Sequence, residues 1–131
     1  MNNSFNNDKP IFIQIREIIE DQIVNGLLSE EEQAPSTNQL VNFYKINHAT
    51  VAKGINQLVD EGILYKKRGI GMFVSEGAKN KLMDKRKKAF SDEYVVPLVQ
   101  EASKLGISIN EIINLINQVK RSDNQWPTIL R

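Results

Sequence analysis

Lys53 and Asn56 lie three residues apart and follow Asn47, His48, Ala49, Thr50 and Ala52. The chemistry open to such a set is recognition rather than bond making. An Asn amide donates and accepts at once and so fits an adenine edge, while a Lys suits a guanine edge or a phosphate. The methyls of Ala49, Thr50 and Ala52 suit the methyl of a thymine. Asn47 and Thr50, at the start of a helix, are expected to hold phosphate, as are Ser36, Thr37 and Asn38 at the start of the helix before it. His48 falls at the edge of the core-facing side and is expected to be structural or to touch phosphate. Lys66, Lys67 and Arg68 precede Gly69 and Gly71, whose missing side chains let the backbone approach a phosphate chain.

Catalysis finds no comparable set. The 131 residues include no Cys and a single His, which excludes a disulfide framework, a thiolate zinc site, a cysteine nucleophile and a His-based ligand set. Glu30, Glu31 and Glu32 form neither a spaced carboxylate pair nor a metal loop, and Gly69-Ile70-Gly71 lacks the rest of a phosphate-binding loop. No enzyme, cofactor or metal site is expected. No stretch approaches the ~18 apolar residues that cross a bilayer, and Met1 to Asn7 carry no apolar signal region. The expectation is a soluble, unprocessed, cytoplasmic chain with no membrane partner.

The elements that must position these residues follow from periodicity. Ile11, Phe12, Ile15, Ile18, Ile19 and Ile23 fall on one side of a helix that closes at Asn25-Gly26. After an acidic connector, Ser29 to Gln33, Ser36 and Gln39 form a capping box for a short helix through Leu40, Phe43 and Tyr44. Lys45-Ile46 then leads to Asn47, which caps a helix with Val51, Ile55, Leu58 and Val59 on one face and a stop at Gly62. Two short helices joined in this way make a helix-turn-helix. With Val51, Ile55 and Leu58 inward, 100° per residue turns Ala49, Lys53 and Asn56 outward. Ile63–Lys66 and Met72–Val74 flank Lys67-Arg68-Gly69-Ile70-Gly71 as a β-hairpin with a cationic tip.

Beyond Ala78 a basic run, Lys79 to Lys88, is expected to be a solvated linker helix. It leads to Phe90, Tyr94, Val95, Leu98, Val99, Ala102 and Leu105, with Gly106 as stop and Pro97 forcing two segments to meet near Val96. Ser108 and Glu111 form another capping box, before Ile109, Ile112, Ile113, Ile116 and Val119 at helical spacing. The tail from Asp123 has no clear period. Charge is uneven: Met1 to Gly77 carries seven basic and ten acidic residues, Ala78 to Arg131 ten and six.

Pro10 to Leu28, Ala34-Pro35-Ser36, Asn47-His48-Ala49-Thr50-Val51, Leu58 to Leu64 and Arg68-Gly69-Ile70-Gly71-Met72-Phe73-Val74 together resemble the winged-helix domain of GntR-family bacterial transcription regulators. The remaining residues are similar to the YtrA-like subfamily, whose short two-helix region dimerises in place of an effector-binding domain. The resemblance implies a repressor, and control of a neighbouring transporter operon. Ala34 stands where the family has Leu, Asn38 and Ala52 where it commonly has Arg, and Asn47-His48-Ala49-Thr50 for a Ser-Arg-Thr-Thr-like start. Lys53 and the wing are therefore left to carry more of the electrostatic term.

The expected fold is mostly α with a small β-hairpin: a winged helix-turn-helix over residues 1–77 and a helical dimerisation region over 78–131. Val95, Leu98, Val99, Ala102, Leu105, Ile109, Ile112, Ile113 and Ile116 are expected to pack on a second chain, because one small helical pair cannot hide so much apolar surface alone. The expected partners are operator duplex DNA, read as an inverted repeat, and a second copy, with no dedicated small-molecule domain. The rival expectation is a winged helix serving as a protein-interaction or RNA-binding module.

Overall fold

Isoleucines one helical turn apart make the first helix, α1 (Ile11–Val24), bury a stripe. The computed structural model describes residues 5–123. Ile15, Ile19 and Ile23 are at most 2% exposed, whereas Ile11, expected on the same face, is 41% exposed at the helix start. Helix α2 (Thr37–Tyr44) opens on the expected capping box: the Ser36 hydroxyl accepts from the Gln39 amide, and the Gln39 side chain accepts from the Ser36 amide. It closes at Lys45, in the left-handed region at φ 59°. Leu40 and Tyr44 face inward, while Phe43 lies outward.

Helix α3 (His48–Asp60) packs on α1 and α2 through Val51, Ile55 and Leu58, each at most 1% exposed. Burying such side chains contributes roughly 1.5–3 kcal/mol apiece. The α1–α3 approach is close because position 54 is glycine. A Cβ there would lie 2.6 Å from the carbonyl oxygen of Phe12.

Strands β1 (Leu64–Lys67) and β2 (Gly71–Val74) pair antiparallel, from Leu64 opposite Val74 to Lys67 opposite Gly71. The turn uses Gly69 at φ 77°, a conformation other residues rarely adopt. The acidic connector proves to be part of this sheet. Gln33 bridges Phe73, the Ala34 amide donates to the Met72 carbonyl, and the Val74 amide donates to the Glu32 carbonyl. Backbone groups on the outer side of β2 are thereby satisfied.

Helix α4 (Ala78–Phe90) departs from the solvated-linker expectation at its start, where Ala78 and Leu82 join the core of the first helices. The first compact unit accordingly runs past Gly77 to Arg86, and a second begins at Lys87.

In the second unit, a π turn (Ser91–Val95) precedes α5 (Val96–Lys104), so the segments meet at Val96 as expected. Pro97 lacks an N–H and its ring would crowd the carbonyl four residues back. The wider turn, in which the Val96 amide donates to the Ser91 carbonyl, makes room for it. Gly106 at φ 70° ends the segment, and Ser108 and Glu111 cap α6 (Ile109–Asp123) reciprocally. Residues 124–131, most of the aperiodic tail, lie outside the described residues.

Candidate nucleic-acid interface

Helix α3 turns its two sides as 100° spacing requires. Val51, Ile55 and Leu58 are buried; His48, Ala49, Lys53 and Asn56 are exposed; Thr50 and Ala52 are half-buried between them. His48 therefore stands in the first turn, clear of the core. The Asn47 side-chain oxygen accepts from the Thr50 amide at 2.8 Å, so that residue's capping duty is filled and what it offers an anion is its NH2 group. Ser36 is likewise committed as a cap, with half-buried Thr37 and exposed Asn38 beside it in the first turn of α2.

Lys53 is held by a residue the sequence assigned only to packing. Its Nζ lies 4.1 Å from the centre of the Phe12 ring, a cation–π contact that narrows the range of a flexible side chain. The same device recurs on the hairpin, where Lys67 Nζ lies 4.2 Å from the Phe73 ring centre and 6.0 Å from that of Tyr65. Lys66 and Arg68 are exposed beside it.

The two hairpin glycines differ in what their bareness does. A Cβ on Gly69 would meet nothing within 4 Å, leaving the turn open to a close approach. At Gly71, φ 146°, a Cβ would lie 2.6 Å from the Gln33 side-chain nitrogen, which donates to the Ile70 carbonyl at 3.2 Å. Gln33 thus fastens the connector to the wing, a role its place in an acidic run did not announce. Tyr65 adds a second tie by donating to Glu31 Oε2 at 2.5 Å. That bond, with a little burial and the Glu31 charge, raises the Tyr65 hydroxyl above its ordinary value and keeps it protonated.

In the second unit, Val95, Leu98, Val99, Leu105, Ile109, Ile113 and Ile116 are each 40% exposed or more, Ile112 is half-buried, and Ala102 alone of the expected dimerisation residues is buried. Between α5 and α6 lies a solvent-open groove of about 370 Å³ whose lining, from Leu98 to Val119, is apolar but for Glu101. No helix among the described residues is long and apolar enough to cross a membrane.

The model of the gntR family of bacterial regulatory proteins matches residues 13–74. The chain is 34% identical to a putative GntR-family transcriptional regulator from Bacteroides thetaiotaomicron, with a TM-score of 0.71 over 86% of this chain and 98% of that one. The HTH-type transcriptional repressor YtrA of Bacillus subtilis is 27% identical over 110 residues, covering 84% of each chain. Another curated relative from that species is 40% identical over 65 residues, and there the chain spans only 27% of the relative's length. The structure of the AraR DNA-binding domain in complex with operator ORX1 is 28% identical, with a TM-score of 0.52 over 55% of this chain and 93% of that one. The chain, with its winged helix-turn-helix and trailing helices, belongs to the GntR family of DNA-binding transcription regulators.

Proposed function

We propose that this chain is a homodimeric, sequence-specific repressor in which two α3 helices enter successive major grooves of an inverted repeat, ~34 Å apart. The observation that carries the reading is the outward side of α3, where Ala49, Lys53 and Asn56 stand exposed opposite a fully buried Val51-Ile55-Leu58 face. Asn56 addresses an adenine edge, and Lys53 a guanine or a phosphate. Ser36, Thr37, Asn38, Asn47, His48 and Thr50 hold phosphate from two helix starts. Lys66, Lys67, Arg68 and Gly69 place the wing on the backbone. The repressor sign is supported by the name borne by YtrA, which the chain matches along most of its length.

Dimerisation is supported by the apolar side chains that α5 and α6 leave in solvent, Leu98 at 45% and Ile113 at 49% exposure among them. A second chain covering the open groove fits this surface better than a small metabolite, which pockets usually enclose. A metabolite that shifts DNA affinity reproducibly would count against that.

The test is fluorescence anisotropy of the protein on duplexes tiled across its own upstream DNA, against a scrambled duplex, at two salt concentrations. Tight binding confined to one inverted repeat and weakened by Lys53→Ala and Arg68→Ala is expected. Equal, weak, salt-sensitive binding everywhere would move the chain to the protein-interaction or RNA-binding reading. Which neighbouring genes the bound repeat precedes decides whether the target is the transporter operon that the resemblance implies.

A further inference from the structure

Arg16 is only 9% exposed, on a helix whose inner face is otherwise largely isoleucine. A guanidinium placed so deep loses hydration, and only close pairing offsets the loss. Its two terminal nitrogens divide between two residues of α3 one helical turn apart: one donates to Gln57 Oε1 at 2.7 Å, the other to Glu61 Oε1 at 2.7 Å. The nitrogen on Glu61 also reaches Glu20 at 3.4 Å, and Lys85 Nζ lies 3.3 Å from Glu61, so two cations face two carboxylates at this junction. One turn back along both helices, the Phe12 ring carries Lys53 at 4.1 Å, and the Phe12 carbonyl oxygen stands where a Cβ on residue 54 would come within 2.6 Å. Helix α1 therefore meets α3 in rungs that advance together, Phe12 to Lys53 and then Arg16 to Gln57 and Glu61.

What such a ladder fixes is rotation. The Val51-Ile55-Leu58 face is held by apolar burial, which has no preferred direction. A planar guanidinium, by contrast, bonds only along its own N–H directions. Asn56 stands exposed on α3, next to the tethered Gln57. A side-chain tip lies about 5–6 Å from a helix axis, so a roll of about 20° carries it roughly 2 Å sideways. That displacement takes an amide out of hydrogen-bond range of a base edge, whereas a flexible lysine on a phosphate follows it. We infer that Arg16 is a positioning residue for sequence reading: by holding Gln57 and Glu61 it fixes the roll of α3 about its axis, and with it the base edge that Asn56 meets. The inference rests on the reading above in which the outward side of α3 meets bases.

The test uses the full chain, the duplex it selects from a randomised library, every single-base substitution of that duplex, and a scrambled duplex, with affinities read by anisotropy. The position that Asn56 reads is the one whose preference Asn56→Ala removes, and the wild type should favour its base there by about tenfold or more. Arg16→Lys keeps the charge and loses the fork. Gln57→Met removes one rung and leaves the Arg16–Glu61 pair in place, so the test stands even if Arg16→Lys fails to fold. Each should cut the preference at that position below about threefold, while affinity for the scrambled duplex and its salt dependence change by less than about twofold. Glu17→Ala, which breaks the exposed Lys9–Glu17 pair of α1, should keep the wild-type preference. Folded Arg16→Lys and Gln57→Met proteins that retain that preference overturn the inference alone, as does a loss spread equally over all duplexes, the scrambled one included, which marks a role in stability only. A wild type with no base preference, or one whose preferences survive Asn56→Ala, overturns the inference together with the reading of α3.

Discussion

The Lys53 ammonium rests 4.1 Å from the centre of the Phe12 ring, so a residue of the first helix orders the one cation on the exposed side of α3. Lys53→Ala is expected to weaken operator binding by roughly 5–150-fold, the range for one good base contact. Phe12→Leu, which keeps the residue apolar and removes only the ring, should cost about 2–5-fold. In anisotropy titrations the Phe12→Leu loss should vanish when Lys53 is already alanine, because a coupled pair is non-additive. Additive losses would show that the ring acts through packing alone.

Gly54→Ala should destabilise the fold by about 1–3 kcal/mol in urea unfolding, although alanine is the better helix former by about 1 kcal/mol. The new methyl would lie 2.6 Å from the Phe12 carbonyl oxygen, a backbone atom that moves only if α1 moves. A neutral result would mean that α1 and α3 can separate without strain.

Acid should loosen the junction at the end of α3. Burial pushes the Glu61 carboxyl upward, but hydrogen bonds from Arg16 and Lys85, with their charges, outweigh this and hold it below the usual carboxylate range. A depressed pKa contributes stability that is complete above the unfolded value, about 4.3, and is lost as pH falls through the folded one. The urea midpoint should therefore drop further between pH 7 and the acid limb in the wild type than in Glu61→Gln. Parallel curves would show that Glu61 contributes nothing through its charge.

Leu98→Asp with Ile113→Asp should be monomeric in light scattering, because two carboxylates would have to be buried unpaired at the proposed interface. Its affinity for the inverted repeat should fall by about two orders of magnitude or more as the linkage between half-sites is lost. A variant that remained dimeric would remove the proposed interface.

Much of this was legible in the sequence because it depends on near neighbours. The Ser36–Gln39 and Ser108–Glu111 boxes, the Asn47 cap, the two sides of α3 and the restart at Val96 are all settled within a turn or two of helix. What escaped depends on partners far along the chain. Gln33 reads as part of an acidic connector until Phe73 pairs with it across 40 residues. The need for glycine at position 54 comes from the Phe12 carbonyl, brought against it only by the packing of α1 on α3. Arg16 and Glu20 meet their partners Gln57, Glu61 and Lys85 only in the folded chain, from 41 or more residues away. The charge of Lys79 to Lys88 points to solvent, and the burial of Leu82 in its midst has no local signal.

The segment that ties Gln33 and Ala34 to β2 also bears on what happens when many copies crowd together. A two-stranded hairpin has two bare edges, and each is a template on which another chain can add a strand. Here one edge is taken by the chain's own residues. The other, along β1, is only four residues long and carries Lys66 and Lys67, whose charges repel an incoming copy of themselves. The wing can therefore stand out from the domain without offering a seed for strand-by-strand aggregation, and the lysines proposed to contact a phosphate chain also keep neighbouring wings apart.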